Sequence, residues 1–242
     1  MDFAAFSLSF PKWITYPRPF GAGPEEAGII GGCGLRCQTS RCAITRRGND
    51  KPLGGQMPAS HLLTFRAMAY NNAWANHRLL SACAHLTQAE FEARRIGFFP
   101  SLQATLNHIL IIDWFYVDAL EGGTLGPAAW ADRIPCTKIE HLRSEQGAVD
   151  RRLIACCEAM DETGPDRIIQ VHRGSRIQTE RADRLLLHLF QHQVHHRGQA
   201  HAMLSGTSVP PPQLDEFFSF GEAPLRAAEF RELGWSETDI WC

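Results

Sequence analysis

The residues most able to do chemistry are histidines. Five of the chain's 11 histidines lie between residues 181 and 206, namely His188, His192, His195, His196 and His201. This stretch is rich in leucine and free of proline, which predicts a long helix. At about 100° per residue, all of them except His201 share roughly a quarter of the helix circumference with Gln199. Because neutral imidazole is a common ligand for divalent metals, the pattern predicts a metal site.

Spacing alone does not select the two ligands on this helix. His192 and His196 are four residues apart, His192 and His195 are three apart, and His188 and His192 are again four apart. All of these spacings place two side chains on one helical face. A third ligand is expected from another helix, and His108 is the only histidine in the apolar segment 101–120. Because burying it without a partner would cost free energy, His108 is either a core histidine bonded to a neighbour or a metal ligand, and the histidine-rich fourth helix favours the ligand role.

Other catalytic motifs do not fit. His192 begins the pattern H-Q-x-x-H, in which glutamine stands where a zinc protease has its glutamate general base. The chain has no nucleophile elbow of the G-x-S-x-G type, no phosphate loop and no dinucleotide-binding glycine motif. The metal site therefore remains the main functional prediction.

The elements that must position these histidines are helices. Helical periodicity predicts a helix from Ser60 to about His85, and serine and threonine caps predict two more helices, over 101–120 and from Thr137 to about Met160. The histidine-rich helix is the fourth. Short apolar runs around residues 173–175 predict a hairpin-like excursion within 161–180, and residues 222–233 predict a short helix. The fold class is all-α, a four-helix bundle with long connections.

The ends of the chain differ from this central region. Residues 1–56 are rich in proline and glycine and show no sustained periodicity, which predicts a disordered N-terminal tail. We hypothesise that the assigned start is too early and that the native chain begins near Met57. The bundle is expected over residues 57–220 and a C-terminal extension over residues 221–242.

Composition argues against several partners. A net charge of −2 gives no basis for a nucleic-acid-binding surface. The apolar runs are too short to span a membrane, and the N-terminus has no secretory signal pattern. The eight cysteines lack the density of a disulfide framework. We therefore expect a cytoplasmic protein with reduced thiols and with no nucleic-acid or membrane partner.

Residues 57–220 resemble the DinB/YfiT-like family of metal-binding four-helix-bundle proteins. The similarity is carried by AYNNAWANHRLL in the first helix, SLQATLNHILIIDWFYVDAL in the second, and HLFQHQVHHRGQAHAMLSGTSVPPPQLDEFF at the end. The resemblance implies an up-down-down-up bundle that is often dimeric and holds zinc or nickel. It also implies that the ligands are His108, His192 and His196.

The resemblance further implies a function. Some relatives use the metal to transfer low-molecular-weight thiols such as glutathione, mycothiol or bacillithiol, so we expect a metal-dependent thiol transferase acting on a small electrophile. The alternatives are a non-catalytic metal-binding stress-response protein and a metal-dependent hydrolase. Four neighbouring residues are expected to support the site. Asp113 either orients a ligand histidine or lies at the bundle edge, and His188 and His195 either support the ligands or lie on the surface. Arg197 binds either a substrate carboxylate or a surface acid.

Overall fold

Residues 60–241 are described in the computed structural model, and most of them are helical. The four long helices are α1 (Ser60–Cys83), α3 (Leu102–Leu120), α4 (Ile139–Glu158) and α5 (Ala182–Leu204), and the short ones are α2 (Gln88–Glu92), α6 (Ala223–Leu233) and α7 (Glu237–Trp241). Both α1 and α3 pack against α4 and against α5. The predicted helical fold is confirmed, whereas the predicted tail over residues 1–56 lies outside the described residues.

The core between the long helices is built from apolar side chains at helical spacing. Trp74 on α1 is fully buried and Tyr70 is 5% exposed, so both belong to this core. The Tyr70 hydroxyl donates a hydrogen bond to Glu158 on α4 at 2.7 Å. Cys83 and Cys157 are also buried, as small apolar side chains commonly are.

A two-stranded hairpin interrupts the helices between α4 and α5. β1 (Ile168–His172) pairs antiparallel with β2 (Ile177–Arg181), in a register that places Ile169 opposite Glu180. Gly174 in the connecting turn has a φ of 82°, a conformation that glycine adopts without strain. β2 leads directly into α5. The predicted hairpin is thereby confirmed.

The C-terminal segment is tied to α1 by charged side chains. Arg78 forms ion pairs with Glu216 and Glu229 at 2.9 and 2.6 Å. Arg226, only 1% exposed, pairs with Glu237 at the start of α7, and α7 itself packs on α1. Between residues 60 and 241, no helix combines the length and the apolar character needed to cross a membrane.

Candidate metal centre

His108 is held in the protein interior by α3, a helix with buried side chains around most of its circumference. Ser101 accepts a hydrogen bond from the Ala104 amide and so caps the helix about two turns before the histidine. The His108 residue is only 5% exposed. Because burying an imidazole without polar partners costs free energy, its surroundings must supply them.

Helix α5 brings two further imidazoles to His108. His192 and His196 lie one turn apart on the same face of α5, which packs along α3. The Nε2 atoms of His108 and His192 are 3.0 Å apart. One ligand nitrogen from each of the three histidines lies within 4.8 Å of the other two. The three histidines named by the sequence therefore converge on one point.

This arrangement fits a small divalent ion. Zinc binds imidazole nitrogen at about 2.0–2.1 Å in a tetrahedral site, which separates two ligand nitrogens by about 3.3 Å. The His108–His192 separation of 3.0 Å is close to that value. Three protein ligands leave a fourth position open, which is typical of catalytic rather than structural zinc sites.

The protonation state of the cluster also suits a metal. Burial, together with the neighbouring His196, lowers the pKa of His108 to about 3. Burial likewise lowers the pKa of His196 to about 4 and holds that of His192 well below its usual value. The three imidazoles are consequently neutral at pH 7, the form in which histidine binds metals.

Gln199 orients one of the candidate ligands. Its Oε1 lies 2.8 Å from Nδ1 of His196, so the His196 Nδ1–H donates to Gln199 and the lone pair stays on Nε2. The Gln199 amide nitrogen in turn lies 3.1 Å from Nε2 of His195. Sequence reasoning placed Gln199 on the histidine face but assigned it no role, although its spacing of three residues from His196 is a usable signal.

His195 and His188 lie beside the cluster rather than in it. The exposed His195 reaches His196 through Gln199 and through a ring contact with centroids 4.8 Å apart. The half-buried His188 has its ring centroid 6.4 Å from that of His192 and packs edge-on against Tyr116 at 5.2 Å. Both residues therefore flank candidate ligands.

For Arg197 and for Asp113 the structure contradicts one of the two expected roles, the one at the protein surface. Arg197 is 5% exposed and donates to Asn72 and Asn76 on α1, so the expected surface ion pair is wrong. Asp113 is 1% exposed and accepts hydrogen bonds from Gln146 and Gln193, so it does not lie at an exposed edge. Both side chains are buried because Gln193 and Arg197 of α5 lie against polar side chains of the other long helices.

These two residues belong to a buried polar network that joins all four long helices. Gln146 bridges the carboxylates of Asp113 and Asp150, and Asp150 also accepts from Asn72 and Asn76. Burial raises the pKa of both carboxyls, and the charge of Asp150 adds to the rise at Asp113. Burial lowers the pKa of Arg197 to about 10. The raised carboxyl pKa values and the nearby Arg197 guanidinium both reduce the uncompensated negative charge in this part of the interior.

The fold and site define a helical protein with a buried three-histidine cluster, and comparison with known proteins agrees. The model of the DinB family matches residues 57–225. The chain belongs to the DinB family. It is also similar to Protein DinB of Bacillus subtilis (strain 168), with 26% identity over 145 residues, which cover 58% of this chain and 83% of that protein.

Proposed function

We propose that the protein binds one divalent ion, zinc or nickel, through His108, His192 and His196. The observation that carries this proposal is the convergence of three neutral, interior imidazole nitrogens within 4.8 Å of one another. A bound ion would supply a Lewis acid that lowers the pKa of a coordinated thiol and favours its thiolate form. The up-down-down-up helix order and a homodimeric state belong to the same proposal.

We further propose that the activity is transfer of a low-molecular-weight thiol to a small electrophile. In that reaction the thiol sulfur forms a bond to carbon, the leaving group departs with the bonding electron pair, and the thiol proton is released. The residues of the chain would hold the reactants: neutral histidines retain the ion, and Gln199 fixes the orientation of His196. The surrounding helices restrict the access of water.

The hydrogen bonding of Asp113 argues against metal-dependent hydrolysis and therefore supports thiol transfer. A metal-dependent hydrolase needs a base that activates water, and Asp113 is the carboxylate on α3 nearest in sequence to His108. Its two oxygens are engaged by Gln146 and Gln193 inside the polar network.

The apolar core and this network join the helices through protein contacts, which supports a catalytic rather than a purely structural role for the ion.

The test combines metal analysis with an activity screen. The full chain, purified without an affinity tag, should contain one divalent ion and should accelerate the reaction of a low-molecular-weight thiol with an electrophile. His192→Ala should lose both properties. His141→Ala, which removes a 58% exposed histidine on α4, should keep both. Metal binding with equal rates in wild type and His192→Ala would favour the non-catalytic alternative.

A further inference from the structure

One side of the three-histidine cluster is lined by aromatic rings from outside the long helices. The loop of residues 95–100 between α2 and α3, here called the aromatic loop, contains Phe98 and Phe99. The Phe99 ring centroid lies 4.4 Å from that of His108 and 5.5 Å from that of His196. The Phe98 ring lies 6.4 Å from that of His196 and packs edge-on against Phe99 at 4.9 Å.

Local contacts hold the aromatic loop in this place. The Arg95 amide donates to the Pro100 carbonyl at 2.8 Å and closes the loop, and the Arg95 guanidinium donates to the carbonyl of Glu90 on α2 at 2.8 Å. Gly97 lies directly against Met203 on α5, since a Cβ atom at Gly97 would lie 2.3 Å from the Met203 methyl carbon. The two phenylalanines are thus positioned by both α2 and α5.

The residues on the two sides of the cluster differ in how deeply they are buried. On the His192 side, His188 is backed by Tyr116, which is 2% exposed and accepts a hydrogen bond from Arg173 at 3.1 Å. That side is filled by protein. On the other side Phe98 and Phe99, the rings that contact the histidines, are only half-buried.

We propose that Phe98 and Phe99 form an apolar subsite beside the open coordination position, which selects ligands carrying an aromatic arm. The proposal rests on the metal site proposed above and adds the chemical class of its ligand. A planar ring of the ligand would pack against Phe98 and Phe99, whose edge-to-face pair offers both a ring face and a ring edge. A ligand without an apolar arm would gain no such contact with these rings.

Ligand binding to the cobalt-loaded full chain tests this proposal, with visible absorption as the readout. Two pairs of probes are compared, and the members of each pair share a metal-binding group but differ in whether they carry an aromatic ring. The thiols are benzyl mercaptan and 2-mercaptoethanol, and the carboxylates are phenylacetate and acetate. We expect the aromatic member of each pair to bind about tenfold more tightly. Phe99→Ala should reduce that preference to about twofold, and Phe99→Leu should retain part of it. Phe220→Ala, which removes a 92% exposed ring, should retain all of it.

The outcomes distinguish this inference from the proposed function. Thiol binding without any aromatic preference would overturn the subsite and leave the thiol transferase proposal standing. An aromatic preference among carboxylates combined with no thiol binding would support the subsite and count against thiol transfer. Weaker cobalt binding by Phe99→Ala with an unchanged aromatic preference would assign Phe99 to holding His108, and would overturn the subsite. A chain that takes up no cobalt would overturn both proposals.

Discussion

Nε2 of His108 on α3 and Nε2 of His192 on α5 lie 3.0 Å apart. Because both imidazoles are kept neutral by burial, the two nitrogens can share one hydrogen or direct both lone pairs at one cation. Either arrangement joins α3 to α5 in the protein interior. Only a cation would also engage the lone pair of the nearby His196, whose Nδ1–H is held by Gln199.

Zinc should therefore stabilise the folded protein, and His108→Leu should abolish that stabilisation. At a free zinc concentration of about 100 times the dissociation constant, binding to the native state alone raises the free energy of unfolding by about 2.7 kcal/mol. Urea unfolding with zinc and with a chelator measures the difference. His141→Leu should keep the full zinc effect. If His108→Leu kept it as well, His108 would not be a ligand.

Gln199→Ala should weaken metal binding by about ten- to a hundredfold, since residues that orient a metal-binding histidine contribute on that scale. Loss of the Oε1 acceptor leaves the His196 ring free to rotate and to change its tautomer. Competition with a chromogenic chelator measures the affinity. Gln191→Ala provides the control, because Gln191 is an exposed glutamine on the same helix. Equal losses in the two variants would contradict the orienting role.

Local spacing in the sequence predicts the helices and the histidine-rich face of α5, whereas the choice of His108, His192 and His196 as ligands came from the family resemblance. The boundaries of α3 follow from the Ser101 cap and the glycines at 122 and 123, and the hairpin follows from its short apolar runs. The short helix α2 was missed, although Thr87 and Glu90 form the T-x-x-E capping box that marks such a start.

The surroundings of the histidines could not be predicted in the same way. The burial of Arg197 depends on Asn72 and Asn76, which lie more than a hundred residues earlier in the chain and meet it only after α1 and α5 pack. The position of Phe99 depends on a loop closed by backbone hydrogen bonds rather than on a periodic pattern. Such contacts between distant segments leave no spacing signal in a single sequence.

Arg197→Ala should destabilise the protein by about 3–5 kcal/mol, because it removes the buried cation that offsets the negative charge of the Asp113–Asp150 pair. Arg197 donates to Asn72 and Asn76, whose side chains also bond Asp150. The loss should be smaller when Asp150→Asn is already present, since less buried charge then remains uncompensated. A double-mutant cycle by urea unfolding of the metal-free protein measures this coupling. Strictly additive losses would show that Arg197 does not balance the charge of Asp150.

The stability of the metal-free protein should depend on pH through Asp113. Burial and the neighbouring Asp150 raise the pKa of Asp113 in the folded state. The folded protein therefore retains a proton that the unfolded chain releases above about pH 4. The resulting stabilisation is complete below the unfolded pKa and is lost as the pH rises through the folded pKa.

Asp113→Asn removes the titrating carboxyl and also removes one acceptor oxygen. The loss of the acceptor lowers the free energy of unfolding by an amount that does not depend on pH. The difference in unfolding free energy between wild type and Asp113→Asn, measured in urea from about pH 5 to about pH 8, should therefore shift in favour of the variant as the pH rises. Taking this difference cancels the opposite contribution of the histidines, whose lowered pKa values destabilise the folded state at acidic pH. Asp132→Asn, at an exposed position between α3 and α4, should give a flat difference. A flat difference for Asp113→Asn too would mean that its carboxyl holds no proton in the folded protein.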